Sequence, residues 1–102
     1  MTEIEKSINI FLLDEDLEDF RKIEDLDDVI NEKLNSRLVF LLCDPKNKIF
    51  WIWNGAKANV RMKFIASQKA PKIRDEYGID FKIIGIDEDS EPSEFKDFLG
   101  LG

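Results

Sequence analysis

The side chains of this sequence that could do chemistry are carboxylates, cations and one thiol. Twenty-two Asp and Glu face 15 Lys and Arg, for a net charge of -7, and there is no histidine. That removes the commonest general base and the commonest metal ligand. The chain has no Gly-rich phosphate loop and no activated Ser or Cys constellation. Its carboxylates are abundant, but none sits in an evident pocket sequence, so an enzyme is the weakest functional class. Molecular recognition is the chemistry that remains, and the charge distribution gives it a direction. Residues 1–36 hold 12 acidic and 4 basic side chains, whereas residues 45–74 hold eight basic ones (Lys46, Lys48, Lys57, Arg61, Lys63, Lys69, Lys72, Arg74) and no acid. Residues 75–97 turn acidic again. Such a segregated field steers an acidic partner towards the middle of the chain, although a solvated helix face is the plainer account of any one charge run. The negative total disfavours nucleic acid.

The basic stretch has helical periodicity. With Met62 at zero and about 100° per residue, Ala58, Met62, Ala66, Ala70, Ile73 and Tyr77 share one arc, a core stripe of mostly small residues. Phe64 falls opposite that stripe at roughly 200°, and Arg61, Ile65, Gln68 and Lys72 occupy the arc between Phe64 and the core edge. An aromatic ring on the solvent side of a basic helix is not needed for folding. It marks a candidate protein-binding face, with an apolar anchor in a cationic surround. Single exposed apolar residues are also ordinary.

The elements that must position this face are short. Ile8 to Leu13 and Phe20 to Ile23 have strand composition, with an acidic turn over Asp14 to Asp19. Leu26, Val29, Ile30 and Leu34 predict a short helix over 25–34. Leu38 to Cys43 is an unbroken apolar run expected to be buried on both faces. The segment Asp44-Pro45-Lys46-Asn47 carries turn chemistry, proline presetting φ and Asn47 tolerating the left-handed region, and Lys48 to Trp53 is a further strand, making a hairpin in the centre of the sheet. Trp51 and Trp53 alternate onto one face as core residues. After Asn54-Gly55 the long helix runs from about Ala56 to Tyr77 and stops at Gly78, with Pro71 predicting a bend or two segments. Ile79 to Ile86 reads as a strand, Asp87 to Ser90 as an acidic loop and Glu91 to Leu99 as a short helix closed by Gly100. This order predicts a single α+β domain over residues 1–102, one sheet covered by helices. With 102 residues and 43% apolar side chains there is material for one core. No apolar stretch is long enough to span a bilayer, the N-terminus lacks the build of a signal peptide, and the lone Cys43 reads as an apolar filler in a reduced compartment.

The stretch 39–78 resembles the gelsolin/villin-like domain family. The residues that carry the likeness are Trp53-Asn54-Gly55, Ala58-Asn59, Ala66, Ala70 and Lys72-Ile73-Arg74-Asp75-Glu76. Glu91-Pro92, Phe95 and Leu99-Gly100 fit the family's C-terminal pattern, and about two thirds of the chain is covered. The resemblance implies a central mixed sheet of about five strands between one long and one short helix. It also implies actin binding through the face of the long helix that points away from the sheet, where the wheel independently puts Arg61, Phe64, Ile65, Gln68 and Lys72. Actin is acidic, which suits the charge of residues 45–74. A lone domain of this family is expected to bind monomers, cap an end or slow assembly, since severing relies on several linked domains.

Many family members hold calcium inside the domain through a Gly-Asp pair and a helix Glu. The matching positions here are Arg37-Leu38 and Met62, so that site is expected to be lost. For the family's second calcium, shared with actin, Asp75, Asp87, Glu88 and Asp89 are candidate ligands beside the plainer reading of a solvated acidic loop. The acids Asp14, Glu15 and Asp16 lack the glycine and spacing of a calcium loop. The alternative function is a non-actin structural or protein-interaction module, as gelsolin-like domains are in vesicle-coat proteins. A third reading is phosphoinositide binding by Lys57, Arg61, Lys63 and Lys69. The expected setting is cytoplasmic and cytoskeleton-associated, and the expected form is a monomeric natural single-domain protein or autonomous fragment.

Overall fold

β-Branched and aromatic runs bounded by turn residues become five strands of one sheet, and two amphipathic stretches become the helices that cover it. A computed structural model describes residues 9–23 and 36–99. In chain order the elements are β1 (Ile10–Asp14), β2 (Asp19–Ile23), β3 (Val39–Asp44), β4 (Ile49–Asn54), α1 (Val60–Tyr77), β5 (Lys82–Asp87) and α2 (Ser93–Leu99). The helix predicted over 25–34 and the stop at Gly100 lie outside the described residues. The spatial order is β2-β1-β3-β4-β5. Pairing is antiparallel except for β4 with β5, which run parallel across the α1 connection. The sheet is therefore mixed, and the fold is the α+β sandwich expected for a gelsolin-like domain.

Period-two alternation divides the core in two. Val39, Leu41 and Cys43 of β3 and Phe50 and Ile52 of β4 face α1, where Met62, Ile65, Ala66 and Ala70 meet them. Phe40 and Leu42 of β3 and Trp51 and Trp53 of β4 face α2 and its Phe95. Every residue of β3 is buried, as an unbroken apolar run in the middle of a sheet must be. Ala66 and Ala70 are fully buried, so α1 lies close to the strands at the positions where its side chains are smallest. Complete burial of a ring such as Phe50 contributes about 1.5–3 kcal/mol.

Three details differ from expectation. The helix does not begin at Ala56. Residues 56–59 form the approach, and Asn59 caps the helix, its side-chain oxygen accepting the Met62 N–H at 2.8 Å. Of the outcomes expected at Pro71, the division into two segments is not found: Pro71 lies inside one continuous α1, where helix–sheet packing on the Ala66 and Ala70 side offsets the lost donor. In the β3–β4 turn, the left-handed residue is Lys48 (φ 56°) and not Asn47. Asn47 is instead engaged by the buried Asp44, which accepts the Asn47 side-chain amide at 2.9 Å and the Trp51 indole N–H at 3.3 Å.

Cys43 is 1% exposed at the β3 end facing α1. Burial, and secondarily the neighbouring Asp44 carboxylate, push its thiol up to about 11. At pH 8 only about one thiol in a thousand is then thiolate. The folded protein is expected to resist a disulfide-exchange reagent at pH 8 and to react stoichiometrically once unfolded in guanidinium. Rapid labelling of the native protein would contradict this placement.

Candidate exposed face of the long helix

The face of α1 turned from the sheet carries Val60 and Phe64, one turn apart and 82% and 62% exposed. Residues four apart on a helix stack on one side, so the two form a single apolar strip. Around it Arg61, Lys63, Gln68 and Lys72 are exposed. Lys63 and Lys72 make no ion pair with any described residue. The placement of Phe64, Gln68 and Lys72 on an open surface agrees with the periodicity.

Ile65 is corrected by the structure. It is 8% exposed and belongs to the core cluster under α1. By the wheel Ile65 lies about 60° from Met62, within the width of a helix face that a flat sheet covers. The arc that faces solvent is therefore narrower on this side than the sequence suggests.

Arg61 is exposed but not free. Its guanidinium donates to Glu15 at 3.0 Å and to Glu18, both in the turn between β1 and β2. The hydrogen bond to Glu15, aided by the charge of Glu18, pushes its pKa further up. This fork clamps the acidic turn against the flank of α1. The turn itself is closed by Asp14, whose side chain accepts the N–H groups of Asp16 and Leu17. Leu17, 64% exposed, is thereby held beside the helix. Sequence reasoning missed both Leu17 and Val60. Leu17 could not have been found from local spacing, because tertiary packing brings that turn alongside α1: Leu13 and Phe20 at its two ends join the cluster under the helix, and the Arg61 fork holds the turn there.

The positions matching the family's internal calcium ligands do come together. Leu38 and Met62 border one open groove of about 500 Å³, which is also lined by Arg21, Arg37, Lys57, Asn59, Asp14 and Glu15. Met62 is 6% exposed and part of the core, and three cationic side chains surround the place where a dication would have to sit. A hard cation needs several oxygen ligands. Asp14 is occupied by its own turn and by Arg21 at 3.3 Å, and Glu15 by Arg61. The residues present do not fit calcium.

The four acids named as ligands for a shared calcium are not brought into one cluster. Asp75 is in the last turns of α1, paired with Arg74, which reaches the carbonyl of Phe81 just before β5. Asp87 lies at the far end of β5, opposite Asn54. Six strand residues separate those ends, on the order of 17 Å. Glu88 has another role. Its carboxylate accepts the Ala56 N–H and the Ser36 hydroxyl, both at 2.8 Å, and these bonds, the backbone one first, lower its pKa. Asp89 sits in the turn at φ 73°. Among the described residues, no group of three or more acidic or sulfur ligands is placed to hold a metal.

The quoted motif residues instead have structural duties. Glu91 accepts the Trp53 indole N–H at 2.8 Å, joining the approach of α2 to β4. Gly55 lets the backbone at Ser36 and Leu38 pass directly over it.

No protein-family model matches the sequence, and no curated protein does. Solved structures do. Thorarchaeota ProGel, crystallised in complex with rabbit actin, superposes with a TM-score of 0.79 at 26% identity, over 92% of this chain and 100% of ProGel. Thorarchaeota 2DGel3, also in complex with rabbit actin, superposes with a TM-score of 0.69 at 23% identity, over 89% of this chain and 44% of 2DGel3.

Proposed function

We propose that this gelsolin-like domain binds actin through the outward face of α1, with Phe64 as the apolar anchor and Gln68 and Lys72 in its surround. The observation that carries the reading is the 62% exposure of Phe64 on a helix whose opposite side packs into the core through Met62, Ile65, Ala66 and Ala70. An aromatic side chain left in water beside cations that make no ion pair with the described residues is the kind of residue on which interface energy concentrates. The fold likeness to ProGel, which was crystallised with actin, supports the partner. The lysines supply attraction to an acidic surface and the ring supplies the desolvated contact. One domain offers one attachment through this face, so the expected mode is monomer sequestration, end capping or slowed assembly. The setting would be cytoskeletal.

Calcium is not needed in this reading. The groove beside Leu38 and Met62 is lined by Arg21, Arg37 and Lys57, whose fixed charges stand where an ion would otherwise neutralise the acidic turn. The affinity for monomeric actin is expected to change less than about twofold on adding a calcium chelator; a loss of tenfold or more, about 1.4 kcal/mol, would reject this part of the reading.

The main test is titration of labelled monomeric actin with the domain, alongside a polymerisation assay. Saturable binding with slowed assembly supports the proposal. No binding up to high micromolar concentration rejects it and leaves a non-actin interaction module. Displacement of actin by phosphoinositide vesicles, with steep salt dependence, would show that Lys57, Lys63 and Lys69 also serve an anionic surface.

A further inference from the structure

The sheet has two edges, and they are built differently. β2 carries Asp19, Arg21 and Lys22 within five residues, the kind of charge that blunts an edge against further pairing. The interior of β5 is Ile83-Ile84-Gly85-Ile86, with no charge at all. Among the described residues β5 pairs only with β4. Its backbone direction is readable from its ends: Lys82 N–H donates to Lys48 and Glu88 N–H donates to Asn54, both at 2.9 Å. In a parallel ladder the inward groups recur every second residue. Residues 82, 84, 86 and 88 therefore bond to β4, and the N–H groups of Ile83, Gly85 and Asp87 point outward along an open edge.

The geometry points to a second copy of this chain as the strand that occupies that edge: we infer that the protein forms a two-fold dimer by antiparallel β5–β5 pairing, centred on Gly85. A continuous sheet related by a two-fold axis keeps each copy's faces on the same side, so only residues of equal parity can stand opposite one another. The outward positions satisfy this. Gly85 meets Gly85 of the second copy, and Ile83 meets Asp87 of the second copy. In an antiparallel ladder such pairs are the hydrogen-bonded ones.

The side chains suit that register. At the axis neither copy presents a side chain, and a Cβ at Gly85 would meet nothing within 4 Å, so the sheet face over Gly85 is open. Ile84 stands opposite Ile86 of the second copy on the α2 side, which extends the apolar layer both residues already join. Both copies of α1 then lie on one face of the joined sheet, with their outward surfaces uncovered. The contact is a short ladder, so the dimer is weak and concentration-dependent.

Sedimentation equilibrium of the whole chain, from micromolar to millimolar concentration, tests this without any actin. The wild type is expected to move from monomer to dimer mass across that range. Gly85→Lys places two ammonium groups face to face at the axis, and Gly85→Pro deletes the central outward donor while leaving the ladder to β4 intact. Both variants are expected to stay monomeric with unchanged circular dichroism. Amide exchange gives a readout that needs no variant: the Ile83, Gly85 and Asp87 amides of the wild type should slow at least tenfold at millimolar concentration, while exposed amides of the β1–β2 turn do not. A wild type that stays monomeric at millimolar concentration, edge amides indifferent to concentration, or variants that fold and dimerise as the wild type does would each overturn the proposal.

Discussion

Phe64→Asp is expected to weaken binding to monomeric actin by at least about 100-fold while leaving the domain folded. The ring is 62% exposed and makes no contribution to either core cluster, so its removal forfeits little burial on folding. Asp costs about 0.5 kcal/mol in helix propensity relative to better formers, and the position is not near a terminus where its charge would oppose the dipole strongly. The stability change should stay below about 1 kcal/mol. In the complex the same substitution removes a desolvated aromatic contact, commonly worth 2–4 kcal/mol at an interface centre, and puts a carboxylate against an acidic partner. At about 1.4 kcal/mol per tenfold, that is two decades or more of affinity. The neighbouring substitution gives the contrast that makes the result interpretable. Ile65→Asp buries an unpaired charge in the α1 cluster and should fail to fold. Wild-type affinity in folded Phe64→Asp would show that α1 is not the docking element.

Gly55→Ala is expected to be the most damaging single-methyl change in the chain, lowering the melting temperature by about 15 °C or more. A Cβ at this position would lie 2.2 Å from the Ser36 carbonyl oxygen and 2.8 Å from that of Leu38. Both obstacles are backbone, so no side chain can swing aside. Relief requires the 36–38 turn to move away from the start of the helix approach. That movement breaks the Gly55 N–H bond to Leu38 at 3.0 Å and the Lys57 N–H bond to Ser36 at 2.8 Å. Overpacking costs about 1–3 kcal/mol, and each lost hydrogen bond adds about 0.5–1.5 kcal/mol. The sum is a large share of the roughly 5–15 kcal/mol that holds an ordinary domain together. A thermal melt decides the matter; a shift under about 5 °C would mean that the turn yields without cost. The same approach explains why a glycine follows Trp53-Asn54 here: the requirement is steric closeness and not an unusual φ.

Much of the architecture was legible because it depends on local patterns. The unbroken run Leu38 to Cys43 reads as a strand covered on both faces, and from Val39 onward it is wholly buried. The spacing of Met62, Ala66 and Ala70 placed α1 on the sheet and left Phe64 outside. The strand boundaries moved by one to three residues, most at β5, where Ile79 and Asp80 form a turn and the ladder starts at Lys82. Pattern alone does not say where a ladder's first hydrogen bond forms.

The candidate site was legible only along the helix itself. Residue type and a 3.6-residue period determined that a phenyl ring and several cations share the outer side of α1, because those are properties of a single element. Tertiary structure decided the rest. It buried Ile65, since the width of the covered arc depends on the sheet beneath. It tied Arg61 to Glu15 and Glu18, since an ion pair across more than forty residues leaves no local signature. It separated Asp75 from Asp87 to opposite ends of β5, and among the described residues it left that strand paired on one side only. Sequence spacing governs what one helix or strand can present, and the distances between elements exist only once the chain has packed.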